Sequence, residues 1–423
     1  MIKRLKENLV EASQYGRNPQ RTVENYRDLD PESGVNRPEG TDANKELRDF
    51  AVGCMKAAGL KVSVDRVGNI FGRKEGLKSE TGVVMCGSHL DSVLNGGHLD
   101  GALGVFAAIE AVRRIDEGGF ENERPIEIVA FTGEEGSAFG VSLLGSSALT
   151  GKISTAEALA VKNDAGKTLG AVLTEIGYQG DIVRSLDDVD YFVEMHIEQG
   201  PILDNEKIPV GIVENITGIV WLTATIRGMA NHAGTTPMTM RRDALVAAAE
   251  VVTFLKTRTG EIVDKLGSTT VGTVGKLDVF PNSTNVVPAK VRLGIDIRDA
   301  SQDNMQQLTD ESIAFINALE SKHGVKTQVQ WHPVHSPVCL SKRVIDTMEG
   351  AANQSGVAAK KINSGAGHDA QNMAAKVETG MIFVPSIDGI SHSPMEWTAW
   401  KDIEKGTRVL THTLKSLSCC NPK

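Results

Sequence analysis

Gly87-Ser88-His89-Leu90-Asp91-Ser92, continuing to Gly96-Gly97-His98-Leu99-Asp100-Gly101, gathers a histidine and two carboxylates into one short stretch. The stretch follows the apolar run Val83-Val84-Met85-Cys86. It precedes Ala102–Ile109, which reads as a buried helix. His89 and Asp100 are therefore expected on a loop between the C-terminal end of a strand and the start of a helix, the edge at which open α/β sheets bind ligands. His89 can bind a metal through one ring nitrogen, and Asp91 can hold the other ring N–H and so fix the tautomer. Asp100 has two oxygens with which to bridge two ions. Gly96, Gly97 and Gly101 let the backbone turn tightly enough to return the carboxylate to the histidine.

The same arrangement recurs. After the strand-like run Ile126–Phe131 come Glu134 and Glu135. After Tyr191–Met195 come His196, Glu198 and Gln199. After Met381–Val384 comes the loop with His392. Each strand end delivers a ligand-type residue to the same edge of a sheet. Histidines, a bridging-capable aspartate and a glutamate pair suit two divalent ions of the zinc or manganese type, and the absence of cysteine from this set argues against a structural zinc site. Two close ions can share a water and lower its pKa. Of Glu134 and Glu135, one can bind metal while the other stays free as a general base. His98, His323, His332, His335 and His412 lack the strand-end context and are assigned to surface or packing.

The elements that must position these groups are legible in outline. The 423 residues point to two or three domains. Hydrophobic residues make up 40% and aromatics 4%, so the core is mainly aliphatic. A net charge of −9 without a basic block argues against nucleic acid or an anionic membrane as partner. No apolar run approaches the roughly 20 residues needed to span a bilayer, and the N-terminal stretch lacks the apolar core of a signal peptide. Five cysteines (54, 86, 339, 419, 420) without CxxC spacing fit reduced thiols and a cytoplasmic location.

Asp42–Ala58 has helical spacing, and Lys61–Asp65 with Asn69–Gly72 reads as strand, turn, strand. From 83 to about 210, strands alternate with helices, the signature of a sheet covered by helices. The pattern then changes. Trp221–Arg227 is a strand, Ala244–Lys256 a helix, Thr269–Leu277 and Lys290–Arg298 strands, Gln306–Lys322 a helix and Thr327–Trp331 a strand. That order is the split βαβ, ferredoxin-like one. The expected organisation is an α/β catalytic domain (1–212 and 329–423) with a central mixed sheet flanked by helices, and an inserted α+β domain (213–328).

These motifs together carry a resemblance. Gly87–Ser92 with Gly96-Gly97-x-x-Asp100-Gly101, Glu134-Glu135-Gly136-Ser137, Glu194-Met195-His196-Ile197-Glu198-Gln199-Gly200 and Ile390-Ser391-His392-Ser393 resemble the amidase and carbamoylase branch of the M20 metallopeptidase family. That branch contains N-carbamoyl-L-amino acid hydrolases, allantoate amidohydrolases and β-ureidopropionases. The resemblance covers nearly the whole chain. It implies a dinuclear zinc or manganese centre, a lid or dimerisation domain, a homodimer, and a small ureido substrate bearing a carboxylate. It implies that His89 and His196 bind one ion, Glu135 and His392 the other, that Asp100 bridges, and that Glu134 is the general base. A histidine at His196, where the peptidase branch tends to use a carboxylate, favours the carbamoylase branch over an aminoacylase or dipeptidase.

Within the insertion, Gly228–Met238 resembles the segment whose histidine, here His232, helps stabilise the tetrahedral intermediate. Pro281–Pro288 and Asp296-Ile297-Arg298 resemble the segments supplying an asparagine, Asn285, and a carboxylate-binding arginine, Arg298. Closure of one domain on the other would complete the site. Gln199 and the Gly365–Ala370 loop are expected to line the pocket. Ala138 stands where many relatives carry arginine, which removes a basic residue near the pocket. Allantoate or ureidoglycolate is the alternative substrate.

Overall fold

The computed structural model describes residues 2–78 and 80–420. Its strands are β1 (Lys61–Val64), β2 (Ile70–Lys74), β3 (Val83–His89), β4 (Ile126–Phe131), β5 (Val189–Ile197), β6 (Val210–Ile216), β7 (Gly218–Arg227), β8 (Asn231–His232), β9 (Val271–Phe280), β10 (Val286–Val287), β11 (Lys290–Asp299), β12 (Lys326–His335), β13 (Val338–Cys339), β14 (Ala359–Ser364) and β15 (Glu378–Val384). They form a large mixed sheet of order β1-β2-β4-β3-β5-β15-β6-β13, with β14 beside β6, a four-stranded sheet, and the β8–β10 ladder.

In the large sheet the four central strands β4, β3, β5 and β15 run parallel. Parallel strands are covered on both faces and so read as continuous apolar runs. β3 and β4 are buried at every position. The helix Ala102–Glu117 is buried without interruption from Ala102 to Val112, which is why its sequence shows no polar face there. The helix Asp42–Ala57 is capped by the Thr41 side chain, which accepts from Asn44 N, and buries Leu47, Ala51 and Met55 at i, i+4 and i+8. Because the four central strands share one direction, their C-terminal ends lie on one edge. That edge delivers His89, Glu134 and Glu135, His196 and His392.

Two of the boundaries that differ from the sequence reading bear on the site. His89 is the last residue of β3, and His196 lies inside β5, so both are strand residues and not loop residues. Their rings thereby inherit the rigidity of the sheet.

The chain divides into two compact units, one of Met1–Glu214, Cys339–Ile362 and His368–Lys423, the other of Asn215–Val338 with Asn363–Gly367. The far end of the insertion extends beyond 328 because β12 continues to His335. In the second unit the sheet order is β12-β7-β11-β9, antiparallel throughout. With the helices Ala244–Leu266 and Gln302–His323 in sequence between the strands, this is the ferredoxin-like βαββαβ arrangement. Its core alternates along the strands: Val220, Leu222, Ala224 and Ile226 from β7, and Val291, Leu293, Ile295 and Ile297 from β11. No described helix is long and apolar enough to cross a membrane.

Candidate metal centre

The first unit brings together His89, Asp100, Glu134, Glu135, His196, Gln199 and His392. Asp100 is the hub, and its two oxygens face different partners. Oδ1 lies 3.0 Å from His196 Nε2 and 3.5 Å from His89 Nε2. Oδ2 lies 3.3 Å from His392 Nε2. Glu135 Oε2 in turn lies 3.4 Å from His392 Nε2. Two donor groups result, His89–Asp100–His196 and Asp100–Glu135–His392, and the donor atoms within each lie within 4.8 Å of one another.

Only glycine allows the aspartate to return to the histidine in this way. Gly101 has φ +64°, and a Cβ there would stand 2.3 Å from the His89 ring. Gly97 leaves room for Glu396, whose carboxylate a Cβ would meet at 2.0 Å. Glu396 Oε1 accepts from Leu99 N and Asp100 N at 3.2 and 3.0 Å, which holds the Asp100 backbone from below.

The histidine tautomers are set by backbone carbonyls. His89 Nδ1 is 3.1 Å from the Asp91 carbonyl, and His196 Nδ1 is 2.9 Å from the Ile197 carbonyl. Each ring therefore presents Nε2 to Asp100. The Asp91 carboxylate, expected on the ring N–H of His89, is 3.6 Å from Nδ1. Its oxygens also accept from Glu134 N and Glu135 N, both at 3.1 Å. Asp91 thus orients the glutamate pair.

The electrostatics of this cluster call for positive charge. Burial, then the charges of Glu135 and Asp369, push the Glu134 carboxyl well up, against the opposing pull of His89. Burial and the charge of Asp100 push Glu135 up to about 8. Burial pulls the His89 imidazole down, but the charge of Glu134 and the contacts with Asp100 and Asp91 outweigh it and leave it well raised. Hydrogen bonding to Asp100 raises His392 to about 9. The carboxylates thus draw protons onto the rings, the role a divalent cation fills. Glu135 Oε1 is buried and has no hydrogen-bond partner among the described residues. Imidazole nitrogens and carboxylate oxygens with no thiolate suit zinc or manganese.

A third cluster, Glu194–His196–His368, shares His196 with the first. Glu194 is already engaged: its oxygens accept from Ser88 Oγ at 2.7 Å and from Ala370 N at 3.0 Å. It steadies the floor of the site. Glu198 is spent as a helix cap, accepting from Ile202 N and Leu203 N. Gln199, held at φ +57°, donates through Nε2 to Asp100 Oδ2 at 2.8 Å. His98 is buried and packs with Trp397.

In the second unit, the β8–β10 ladder sets His232 opposite Val286 and so beside Asn285. His232 Nδ1 accepts from Gly234 N and Thr235 N at 3.0 and 3.2 Å, which leaves Nε2 as the N–H donor. Arg298 is engaged by its neighbour: Nε and Nη2 donate to Asp296 at 2.8 and 3.2 Å, and Nη1 donates to the Gly365 carbonyl at 3.2 Å.

Sequence reasoning missed Glu39, Arg48, Glu194 and Glu396. Each acts by holding another residue, and only Glu194, inside the Glu-Met-His-Ile-Glu-Gln motif, carried a local signal.

Residues 85–416 match the model of peptidase family M20/M25/M40. An N-carbamoyl-L-amino acid amidohydrolase of Geobacillus stearothermophilus is 39% identical over 392 residues, 92% of this chain and 94% of that protein. An allantoate amidohydrolase of Bacillus subtilis is 36% identical, covering 86% of this chain and 88% of that one. A crystal structure of a hydantoinase/carbamoylase family amidase from Burkholderia multivorans superposes with a TM-score of 0.91 at 35% identity, over 100% of this chain and 98% of that one. With its mixed sheet, inserted ferredoxin-like unit and buried histidine–carboxylate cluster, the chain belongs to the hydantoinase/carbamoylase amidase branch of the M20 family, metal-dependent amidohydrolases that act on C–N bonds other than peptide bonds.

Proposed function

We propose that this chain hydrolyses the carbamoyl C–N bond of an N-carbamoyl-L-amino acid, giving the amino acid, carbon dioxide and ammonia. The observation that carries the reading is the placement of Glu134: a buried carboxyl beside a complete donor set, 3.8 Å from His89 Nε2, and not itself needed as a ligand. His89 and His196 would hold one divalent ion and Glu135 and His392 the other, with one oxygen of Asp100 for each. When bound, such ions polarise the ureido carbonyl and acidify the attacking water.

Glu134 accepts the proton of that water as its oxygen bonds to the carbonyl carbon. It then returns the proton to the nitrogen that departs as the C–N bond breaks. The carbamic acid left behind loses carbon dioxide. Burial raises the affinity of Glu134 for a proton, which suits a group that must both take and give one. Gln199, with its amide on Asp100, is assigned to the pocket wall.

His232 is assigned to the developing oxyanion because its outward nitrogen is the protonated one. Asn285 and Arg298 are assigned to the substrate carboxylate, where Arg298 must share its planar fork with Asp296. In the same reading the second unit serves as lid and dimer contact. Its edge strand β9 exposes Val271, Leu277 and Phe280, an apolar edge of the kind that pairs with another chain. Allantoate is the second reading, supported by the 36% identity to the Bacillus subtilis allantoate amidohydrolase.

The test is ammonia release by protein stripped of metal and reloaded with manganese or zinc. The panel is N-carbamoyl-L-amino acids, their D-forms, allantoate, ureidoglycolate and N-carbamoyl-β-alanine. Metal-dependent release from the L-carbamoyl compounds is the expected result. Release confined to allantoate or ureidoglycolate would replace the substrate and keep the mechanism. Silence on every ureido compound, with dipeptides or acylated amino acids cleaved, would overturn the reading.

A further inference from the structure

The segment Thr132–Glu135 carries the glutamate pair, yet it belongs to neither strand nor helix. Four consecutive backbone N–H groups must therefore find partners outside regular structure. All four are met by side chains. Thr132 N donates to Asn69 Oδ1 at 3.0 Å, Gly133 N to Glu39 Oε2 at 3.0 Å, and Glu134 N and Glu135 N to the two oxygens of Asp91 at 3.1 Å each. The carbonyls are held as well. Those of Thr132, Gly133 and Glu134 accept from Gly145, Leu144 and Leu143 at 2.8, 3.2 and 2.8 Å.

Glu39 is the unusual member of this set. Its carboxylate and the Arg48 guanidinium are each 1% exposed and meet at 2.8 Å. Arg48 donates further to Asn44 Oδ1, the Gly68 carbonyl and Thr132 Oγ1, at 2.9, 2.8 and 3.1 Å. It also lies over the Tyr178 ring. Burying such a pair brings little net stability, because desolvation offsets the attraction, and an apolar pair of similar volume commonly serves as well. What an apolar pair cannot do is accept from Gly133. That amide sits in a backbone at φ +60°, one residue before Glu134. A charged acceptor holds an N–H more tightly than a neutral one.

We infer that Glu39, braced by Arg48, is a positioning residue of the reaction: together with Asn69 and Asp91 it clamps the four amides that set the place of the Glu134 carboxyl. This rests on the reading of Glu134 as the base.

The decisive variant is the double substitution Glu39→Leu/Arg48→Met, which removes the acceptor without stranding a buried charge. Three readouts are taken: bound metal, steady-state kinetics on whichever ureido compound the wild type turns over, and amide hydrogen exchange of the peptide covering 132–136. The expected result is a folded protein with wild-type metal content, kcat lower by about 100-fold as a displacement of about 1 Å at the reacting groups allows, KM within about twofold, and faster exchange in that peptide. Glu39→Gln/Arg48→Met, which returns an oxygen acceptor to Gly133, recovers most of kcat and the protection.

Wild-type kcat or unchanged exchange in the Leu/Met variant overturns the proposal, and so does failure of the Gln/Met variant to recover either. A dead Glu134→Gln enzyme beside a fully active Leu/Met variant sinks the clamp alone. A fully active Glu134→Gln enzyme sinks the base assignment and with it the positioning role, whatever hydrogen exchange shows of the clamp. If the wild type turns over no ureido compound, hydrogen exchange still decides whether Glu39 holds the loop.

Discussion

Glu134→Gln separates the proposed base from everything around it. Gln has the shape of Glu, and the backbone at 134 remains fixed by Asp91 at 3.1 Å. None of the five donors His89, Asp100, Glu135, His196 and His392 is altered, so bound metal should be unchanged. On the proposed mechanism the loss is confined to a group that takes a proton and gives one back. General acid–base catalysis contributes about 10²- to 10⁴-fold. In that mechanism one carboxyl performs both transfers, so the upper end, about 10⁴-fold in kcat or about 5.5 kcal/mol, is expected.

Stability should move the other way. Without metal, burial and the charges of Glu135 and Asp369 outweigh the pull of His89 and disfavour the charged form of Glu134, so a neutral amide relieves repulsion. The melting temperature of the metal-free variant should equal or exceed that of the metal-free wild type. The assay is ammonia release together with metal analysis, and a thermal scan on the same preparation stripped of metal. Turnover above about a tenth of wild type would refute the general-base role, since loss of such a group costs at least about 10²-fold. Loss of turnover together with loss of metal would show that Glu134 is a ligand and not the base.

Asp100→Asn should lower metal content at both sites at once, because one oxygen faces each donor group; elemental analysis that finds one site still full would remove Asp100 as the bridge. Arg48→Met leaves Glu39 buried without its cation, at a cost of about 3–5 kcal/mol. Adding Glu39→Leu should restore most of that, a coupling read from denaturation midpoints, and additive effects would show the pair to be uncoupled. His232→Asn should lower kcat by about 10²- to 10³-fold with metal content unchanged, as for loss of one oxyanion donor; a change in KM alone would assign His232 to binding.

What was legible in the sequence and what was not divide along physical lines. His89, Asp100, Glu135, His196 and His392 announce themselves because imidazoles and carboxylates are rare beside buried strands, and the parallel run β4-β3-β5-β15 brings every such strand end to one edge. The ferredoxin-like insertion was legible because alternation in β7 and β11 has a period that a sequence displays directly. Glu39, by contrast, accepts from an amide 94 positions away, and Glu396 from one 296 positions away. Nothing local marks a carboxylate whose partner is a backbone N–H so distant in the chain. Glu198 illustrates the converse. It sits beside His196 with the look of a ligand, but the nearest unsatisfied groups are the first amides of the helix Ile202–Glu206, and it caps them.

The same contrast explains why only one of the partners of Asp91 was legible. Spacing alone puts it beside His89, two residues away. In the folded chain the Asp91 backbone carbonyl faces that ring at 3.1 Å, and the side chain, 3.6 Å from the same nitrogen, also accepts from Glu134 and Glu135. One residue therefore ties the histidine that would hold metal to the glutamate that would move the proton. A displacement of either is transmitted to the other through a single Cα. On this argument Asp91→Asn, which keeps one oxygen acceptor and the backbone carbonyl, should preserve the His89 tautomer and metal content. It should lower kcat because one of the two amides at 134 and 135 then faces an NH₂ group. Wild-type kcat in that variant, with metal retained, would show that the glutamate pair needs no such hold.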